Sequence, residues 1–111
     1  MGLNNLVNKL FWLLSGASGG PKVRYSSNGR SGYVHYQSPE SSFEMYYEFG
    51  GGNCVAGINV PSPQNWEKET ALPLSRREEV LNFIGEQVVK DQTTGGTGYF
   101  KIEGDWLNIY V

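Results

Sequence analysis

The chain has few side chains of the kind that catalysis or metal binding uses, since it holds one histidine, His35, and one cysteine, Cys54. Hydrolytic, redox and metal-dependent sites generally bring several titratable groups together at one point. The best candidate group is His35 with Glu44 or Glu48, in which a carboxylate would orient the imidazole as a general base. The sequence indicates no serine or cysteine nucleophile beside this pair. We therefore expect a hydrogen-bonded histidine at the sheet surface and no catalytic residue.

The two glutamates do not fit a paired-carboxylate mechanism. Glu44 and Glu48 lie four residues apart on one predicted strand, which separates them by about 13 Å at a rise of about 3.3 Å per residue. Paired glycosidase carboxylates stand about 5–9.5 Å apart. One histidine and one cysteine, distant in the sequence, also cannot supply the usual set of zinc ligands. We expect neither a metal site nor a cofactor.

The elements that would position these residues follow from hydrophobic periodicity and turn signals. Residues 1–20 are predicted to form an N-terminal amphipathic helix and a Gly/Ser hinge, and residues 21–111 a single α+β domain. The helix is predicted because apolar side chains recur at helical spacing. These are Leu3, Val7, Leu10, Phe11 and Leu14.

Six strands are predicted from alternating polar and apolar residues between turn signals. Four of them form a meander, and the last two form a C-terminal hairpin around Gly104-Asp105, a Gly-X pair typical of a type II′ turn. The predicted strands are Lys22–Ser26, Gly32–Gln37, Ser42–Phe49, Cys54–Val60, Gly98–Glu103 and Trp106–Val111.

A helix is predicted between the meander and the hairpin, beginning at Ser75 and ending near Gln92. Ser75 and Glu78 fit a capping box, and an apolar stripe that includes Leu81, Ile84 and Val88 follows. The preceding segment 61–74 contains three prolines and Trp66, and we expect it to be a linker that lies on the body of the domain.

Keeping the apolar residues on one side of the sheet sets the expected register, because a slip of one residue would turn every side chain over. The expected pairs are Phe49 with Cys54, Met45 with Ile58, Ile102 with Leu107 and Phe100 with Ile109. This register places Cys54 among the core residues. We expect an α+β fold in which the one capped helix packs on the apolar side of the antiparallel sheet.

The opposite side of the sheet is the candidate binding surface, since it is aromatic and mildly acidic. Tyrosine and tryptophan are enriched at interface hot spots, which favours recognition of another protein. The candidate binding residues are Tyr33, His35, Glu44, Tyr46, Tyr99, Trp106 and Tyr110. Alternatively, the N-terminal helix covers part of this side, because its apolar stripe must be buried. The same helix could also pair with its copy in a homodimer.

Arg76 and Arg77 lie in the first turn of the predicted helix, where positive charge opposes the helix dipole. One use for them is an ion pair with a carboxylate from the sheet. The alternative is an anion or an acidic partner held by the two guanidinium groups and nearby backbone amides.

The composition argues against several classes of protein. The formal net charge is -2, and the scattered lysines and arginines form no basic stripe of the kind that nucleic-acid-binding proteins show. No apolar run approaches the roughly 18–20 residues that a transmembrane helix needs. A single cysteine excludes an intrachain disulfide. We expect a cytoplasmic protein, with secretion as the alternative because residues 9–19 faintly mimic a signal peptide.

A short acidic α+β chain without catalytic residues resembles, in size, charge and lack of chemistry, the immunity proteins that neutralise toxins in bacterial competition. The resemblance implies a non-enzymatic protein that binds another protein, in an immunity or antitoxin role. One alternative is a small-ligand or carbohydrate-binding domain in which Tyr99, Trp106 and Tyr110 stack on a ring. A second is an enzyme with His35 as its base.

Overall fold

Six antiparallel strands form one sheet in the computed structural model, which describes residues 20–111. The strands lie side by side in the order β1-β2-β3-β4-β6-β5. The predicted α+β class, with a four-strand meander and a C-terminal hairpin, is confirmed. The predicted N-terminal amphipathic helix lies outside the described residues. The strands are β1 (Lys22–Asn28), β2 (Ser31–Gln37), β3 (Ser42–Phe49), β4 (Cys54–Asn59), β5 (Tyr99–Glu103) and β6 (Trp106–Tyr110).

Two helices lie between β4 and β5 in the chain. The short helix α1 covers Trp66–Thr70, and the main helix α2 covers Arg77–Gln92, ending where the sequence predicts. A 3-10 turn, Leu74–Arg76, leads into α2, and a second one, Thr94–Gly96, follows it. No helix within residues 20–111 combines the length and the apolar character that crossing a membrane requires.

Glycines with positive φ make the two tightest hairpins. Gly104 has a φ of 64°, and Asp105, the second loop residue, has no positive φ, in agreement with the predicted type II′ turn. Gly29, with a φ of 76°, begins the two-residue loop between β1 and β2. This short loop fixes the pairing of β1 with β2 and so determines which β1 side chains reach His35.

The predicted register is confirmed for the C-terminal hairpin and wrong for the pairing of β3 with β4. Ile102 lies opposite Leu107 and Phe100 opposite Ile109, as expected. Phe49, however, lies opposite Ala56 rather than Cys54. The same shift of two residues places Tyr47, and not Met45, opposite Ile58. Since two residues is the side-chain period of a strand, the shift leaves every β3 side chain on its predicted side.

The pairing next to the loop and a β-bulge account for this difference. The amide of Gly50 donates to the carbonyl oxygen of Val55 at 3.0 Å, so Gly50 pairs with Val55 where the predicted register places Phe49 opposite Cys54. Cys54 pairs with Tyr110, and the register shifts between Cys54 and Ala56. Directly opposed residues project to the same side of a sheet, so the half-buried Cys54 lies on the side of Tyr110. Its predicted place in the core is therefore wrong.

The predicted capping box is absent from the start of α2. Pro73 is extended and the 3-10 turn begins at Leu74, so Ser75 lies within that turn and not at the helix N-cap. The N-cap of α2 is Arg76, and its side chain makes no capping hydrogen bond. The amide of Leu74 instead donates to the Glu67 carboxylate of α1 at 3.2 Å. The hydrogen-bond acceptor at this helix start thus comes from α1, whereas the capping-box pattern predicts it from Ser75.

The predicted linker contains α1, which is anchored by a fully buried tryptophan. Trp66 is 0% exposed, and its indole N–H donates to the carbonyl oxygen of Pro73 at 3.0 Å. Its ring meets Phe43 edge-on at a centroid distance of 5.7 Å. The helix ends at Ala71, which has a φ of 62°. Segment 61–74 therefore contributes Trp66 and Leu72 to the core, while most of its other residues are exposed.

The core lies between α2 and one side of the sheet. Leu81, Ile84 and Val88 of α2 are buried with Leu107 and Ile109 of β6. The helix contacts β5 and β6 along its length and reaches β1 at its C-terminal end.

At that end, the hydroxyl of Tyr25 donates to the Asp91 carboxylate at 2.8 Å. Burial, together with this bond to Asp91, raises the pKa of Tyr25 above its ordinary value. The bond ties the C-terminal turn of α2 to the first strand.

Candidate functional site

The side of the sheet that faces away from α2 carries all seven predicted binding residues, and we call it the aromatic face. It is opposite to the core because Val34, Tyr36, Met45, Leu107 and Ile109 alternate with its residues and are buried on the helix side. Cross-strand pairing groups the aromatic residues into two clusters, one on β2 and β3 and one on β5 and β6.

The first cluster is built on Tyr33 and Tyr46, which lie directly opposite each other on β2 and β3. Their rings meet edge-on with centroids 6.1 Å apart, and both side chains remain exposed, at 44% and 40%. The hydroxyl of Tyr46 donates to the Glu48 carboxylate at 3.2 Å. Each ring therefore offers apolar area to a partner while its position is held by neighbouring side chains.

The second cluster is a stack of Tyr99 on Tyr110, with centroids 5.3 Å apart and an angle of 21° between the rings. Tyr110 and Asn108 donate to the same Glu103 oxygen at 2.6 and 2.9 Å. The bonds from Asn108 and Tyr110 lower the pKa of Glu103. The same carboxylate raises the pKa of Tyr110. The carboxylate thereby fixes both the ring and the hydroxyl of Tyr110.

Gly57 of β4 lies between the clusters and is a residue that the sequence reasoning missed. A Cβ at this position would lie 3.0 Å from Asn108 Oδ1 and 3.2 Å from Trp106 Cε3. The side chains of Trp106 and Asn108 therefore extend across the backbone of β4 where it has no side chain. A glycine in a predicted strand is the signal that could have identified this close approach.

His35 is part of a three-residue relay across β1, β2 and β3. Its Nε2 is 2.9 Å from Ser26 Oγ, and its Nδ1 is 3.4 Å from Glu44 Oε2. In the tautomer with the proton on Nδ1, the Ser26 hydroxyl donates to Nε2 and the carboxylate lies beside the Nδ1 proton. The expectation that no serine lies beside His35 is wrong. The loop at Gly29 could have revealed this, because it places Ser26 opposite Tyr33, diagonal to His35.

The aromatic face carries charged groups of both signs. Its strands carry the carboxylates Glu44, Glu48 and Glu103, and Lys101 is the cation expected from the hairpin. The register of β1 adds two more cations, since Arg24 lies opposite His35 and Lys22 opposite Gln37. The prediction left out these polar residues of β1.

The depressions on the aromatic face are polar. One of about 260 Å³ lies where β3 and β4 meet the start of α1, and Glu44, Tyr46, Asn59, Glu69 and Asp105 are among its lining residues. A shallower one adjoins His35 and Glu44. Within residues 20–111, no group of three or more histidine, cysteine, aspartate or glutamate side chains is arranged to hold a metal ion.

Arg76 and Arg77 lie away from the aromatic face, at the start of α2. Arg76 binds Glu40 at 3.0 Å and Glu79 at 3.1 Å, and its bonds to these carboxylates raise the pKa of the guanidinium. The sequence analysis suggests an ion pair with a carboxylate from the sheet, whereas the partners are Glu40 in the β2–β3 loop and Glu79 on α2 itself. Arg77 donates from Nε to the carbonyl oxygen of Pro61 at 3.0 Å, and its buried Nη2 has no hydrogen-bond partner.

Comparison of the chain with protein-family models, with curated proteins and with solved structures gives no match.

Proposed function

We propose that this protein is a non-enzymatic binding domain whose aromatic face engages another protein. The observation that carries the proposal is the pair of ordered aromatic clusters, Tyr33 with Tyr46 and Tyr99 with Tyr110, exposed on one side of a sheet whose other side forms the core. Rings that are already held in place lose little conformational freedom on binding, which favours affinity.

The shape of the face favours a protein partner over a small ligand. Six strands about 4.8 Å apart make a surface about 24 Å across, which approaches the dimensions of one side of a standard protein interface. Small-molecule sites are enclosed and mostly apolar, whereas the depressions on this face are polar. Charged groups of both signs on this face favour a partner of mixed polarity. An immunity or antitoxin role is one form that such binding would take.

Two matched alanine variants test this proposal. Tyr46 is 40% exposed on the aromatic face, and Phe49, three residues away on β3, is 55% exposed on the other side. A partner captured from a lysate of the native host and then purified should bind Tyr46→Ala at least about 30-fold more weakly, which corresponds to a hot spot of about 2 kcal/mol. Phe49→Ala should bind it normally.

Two results would contradict recognition through the aromatic face. One is the absence of any captured protein at micromolar bait. The other is equal binding of the captured protein to both variants, since the partner would then use a different surface. If the domain instead binds a carbohydrate, a thermal-shift screen should find a sugar that raises the melting temperature of the wild type and not that of Trp106→Ala.

The Ser26–His35–Glu44 relay favours acyl transfer from an ester as a second candidate function. Ser26 Oγ would attack the ester carbonyl carbon and pass its proton to His35 Nε2. The alkoxide leaving group would depart with that proton, and water would then hydrolyse the acyl-serine. In this step Ser26 would be the nucleophile and His35 the base, and Ser26 is exposed to solvent on β1. Because an exposed nucleophile is poorly shielded from water, we rank acyl transfer below protein binding.

A neighbouring serine provides the control for the relay, because Ser27 faces the opposite side of the sheet. A fluorophosphonate probe should label the wild type and Ser27→Ala, and labelling should fall at least 100-fold in Ser26→Ala and His35→Ala. Labelling of the folded protein that persists in Ser26→Ala, or that does not exceed that of the urea-unfolded chain, would exclude a reactive relay.

A further inference from the structure

An apolar cavity of about 380 Å³ lies on the helix side of the sheet, and we call it the helix-side groove. It occupies the end of the sheet where the β1–β2 and β3–β4 loops lie. Tyr47, Phe49 and Val55 line one part of it, and Val88 and Gln92 from the C-terminal turns of α2 line another. Phe49 is 55% exposed there, while Tyr47 and Val55 are only partly buried.

The groove lies where the helices leave the sheet uncovered. On this side Met45 and Ile58 are buried, whereas Phe49 is 55% exposed and Val55 is only partly buried. The main helix α2 contacts β5 and β6 and reaches β1 near its C-terminal end. The uncovered area is therefore the end of β3 and β4 next to the loop that connects them.

Small residues give the groove its depth. Ser27 and Gly29 on the β1 side and Ala56 on β4 all line it, between the larger side chains of Tyr25 and Tyr47. Gly32 lies directly opposite Tyr47 and adds no side chain. The groove is apolar and lies beside the C-terminal turns of α2, a position in which a second helix can pack.

We propose that residues 3–14 of this chain dock as a helix in the helix-side groove. Their apolar residues recur at helical spacing, so one face of such a helix would be buried against Phe49, Val55 and Val88. Twelve helical residues are about 18 Å long.

The connection to β1 is long enough for this arrangement. Lys22 begins β1 at the end of the sheet opposite the groove, where it pairs with Gln37. Ser27 is five residues further along, a distance of about 17 Å at about 3.3 Å per residue. The intervening segment 15–20 spans up to about 20 Å when extended. It is composed only of serine, glycine and alanine, so its backbone can turn freely.

The chain's own segment is a better occupant than a second copy of the protein. A short flexible tether holds the segment at an effective concentration in the millimolar range, far above ordinary protein concentrations. Docking on the helix side also leaves Tyr33, Tyr46 and Tyr99 exposed. This contrasts with the expectation that the segment covers part of the aromatic face, and it is independent of the proposed function.

Hydrogen exchange of the full chain, followed by mass spectrometry, tests the docking. Amides of residues 3–14 should exchange at least 10-fold more slowly than unstructured amides in the wild type. Val55→Asp, which places a charge in the groove, should remove that protection. Tyr46→Asp, the same change on the aromatic face, should leave it intact. Val55→Asp should retain the protection of β5 and β6, which shows that the sheet remains folded.

Several results would overturn this inference. One is exchange of residues 3–14 at unstructured rates in the wild type, which would show that the segment is not docked. If native mass spectrometry then finds an apolar molecule bound to the protein, that molecule and not the segment would occupy the groove. Tyr46→Asp, rather than Val55→Asp, could release the segment, which would place it on the aromatic face. Protection that disappears on dilution to nanomolar protein would assign the segment to the groove of a second copy.

Discussion

Substitution of Gly85 by alanine tests how closely α2 packs on the sheet. Gly85 is buried in the middle of α2, against the ring of Phe100 on β5. A Cβ at this position would lie 2.6 Å from Cδ2, 2.7 Å from Cε2 and 2.7 Å from Cγ of Phe100. Since Cγ joins the ring to the backbone, a simple rotation of the ring cannot relieve the contact. The helix or the side chain of Phe100 must shift.

Two opposing effects determine how much Gly85→Ala changes the free energy of unfolding. Alanine is favoured over glycine within a helix by about 1 kcal/mol, which would stabilise the protein if the site were open. Overpacking a buried contact costs about 1–3 kcal/mol. The overpacking term is larger, so Gly85→Ala should lower the free energy of unfolding by about 1 kcal/mol. In a Phe100→Leu background the ring is absent, and Gly85→Ala should raise the free energy of unfolding by about 0.5–1 kcal/mol.

Urea unfolding followed by circular dichroism measures both values. Glu86→Ala, on the exposed side of the same helix, is the control for helix propensity and should change stability by less than about 0.5 kcal/mol. The coupling between Gly85 and Phe100 is the decisive quantity. If Gly85→Ala stabilised the protein by about 1 kcal/mol with Phe100 present, the ring would not lie on the glycine, and the packing of α2 on β5 described above would be wrong.

Two further substitutions test α1 and the second aromatic cluster. Trp66→Phe should lower the free energy of unfolding by about 1–3 kcal/mol, because it leaves a void and removes the indole bond to the Pro73 carbonyl; a loss under 0.5 kcal/mol in urea unfolding would contradict the anchoring role. Tyr110→Phe should raise the pKa of Glu103 toward its ordinary value, because one of the two donors that lower it is lost. Any stability from that carboxylate is present above its unfolded-state pKa and lost as the pH falls through the lower folded-state pKa. Carbon-13 NMR of the Glu103 carboxylate should show the higher pKa in Tyr110→Phe and not in Tyr99→Phe.

The strands and their two sides could be predicted because side-chain alternation is a local property. Tyr33, Tyr46 and Tyr110 each lie between apolar residues that must face the core, so their side is fixed by their neighbours in sequence. The C-terminal hairpin could be paired correctly for the same reason, since Gly104-Asp105 permits few loop geometries. These parts of the fold require no knowledge of distant contacts.

The features that could not be predicted depend on residues from other parts of the chain. The glycines of the β3–β4 loop permit several loop lengths, and the bulge near Cys54 arises where β4 pairs with β6. The 3-10 turn before α2 uses the Glu67 carboxylate as an acceptor, so the capping pattern at Ser75 was misleading. The relay was missed because nothing in the sequence around Ser26 distinguishes it from the other serines. Ser26 becomes a candidate nucleophile only because the pairing of β1 with β2 places it beside His35.

The two uncovered surfaces of the sheet differ in a way that separates the two proposals. On the aromatic face, carboxylates accept hydrogen bonds from Tyr46 and Tyr110. Such a surface is stable in water and suits a partner that binds and dissociates. The helix-side groove exposes Phe49 and Val55 with no charged side chain among its lining residues. An apolar surface of this kind promotes aggregation unless it is covered. We therefore propose a permanent intramolecular cover for the groove and exchangeable binding for the aromatic face.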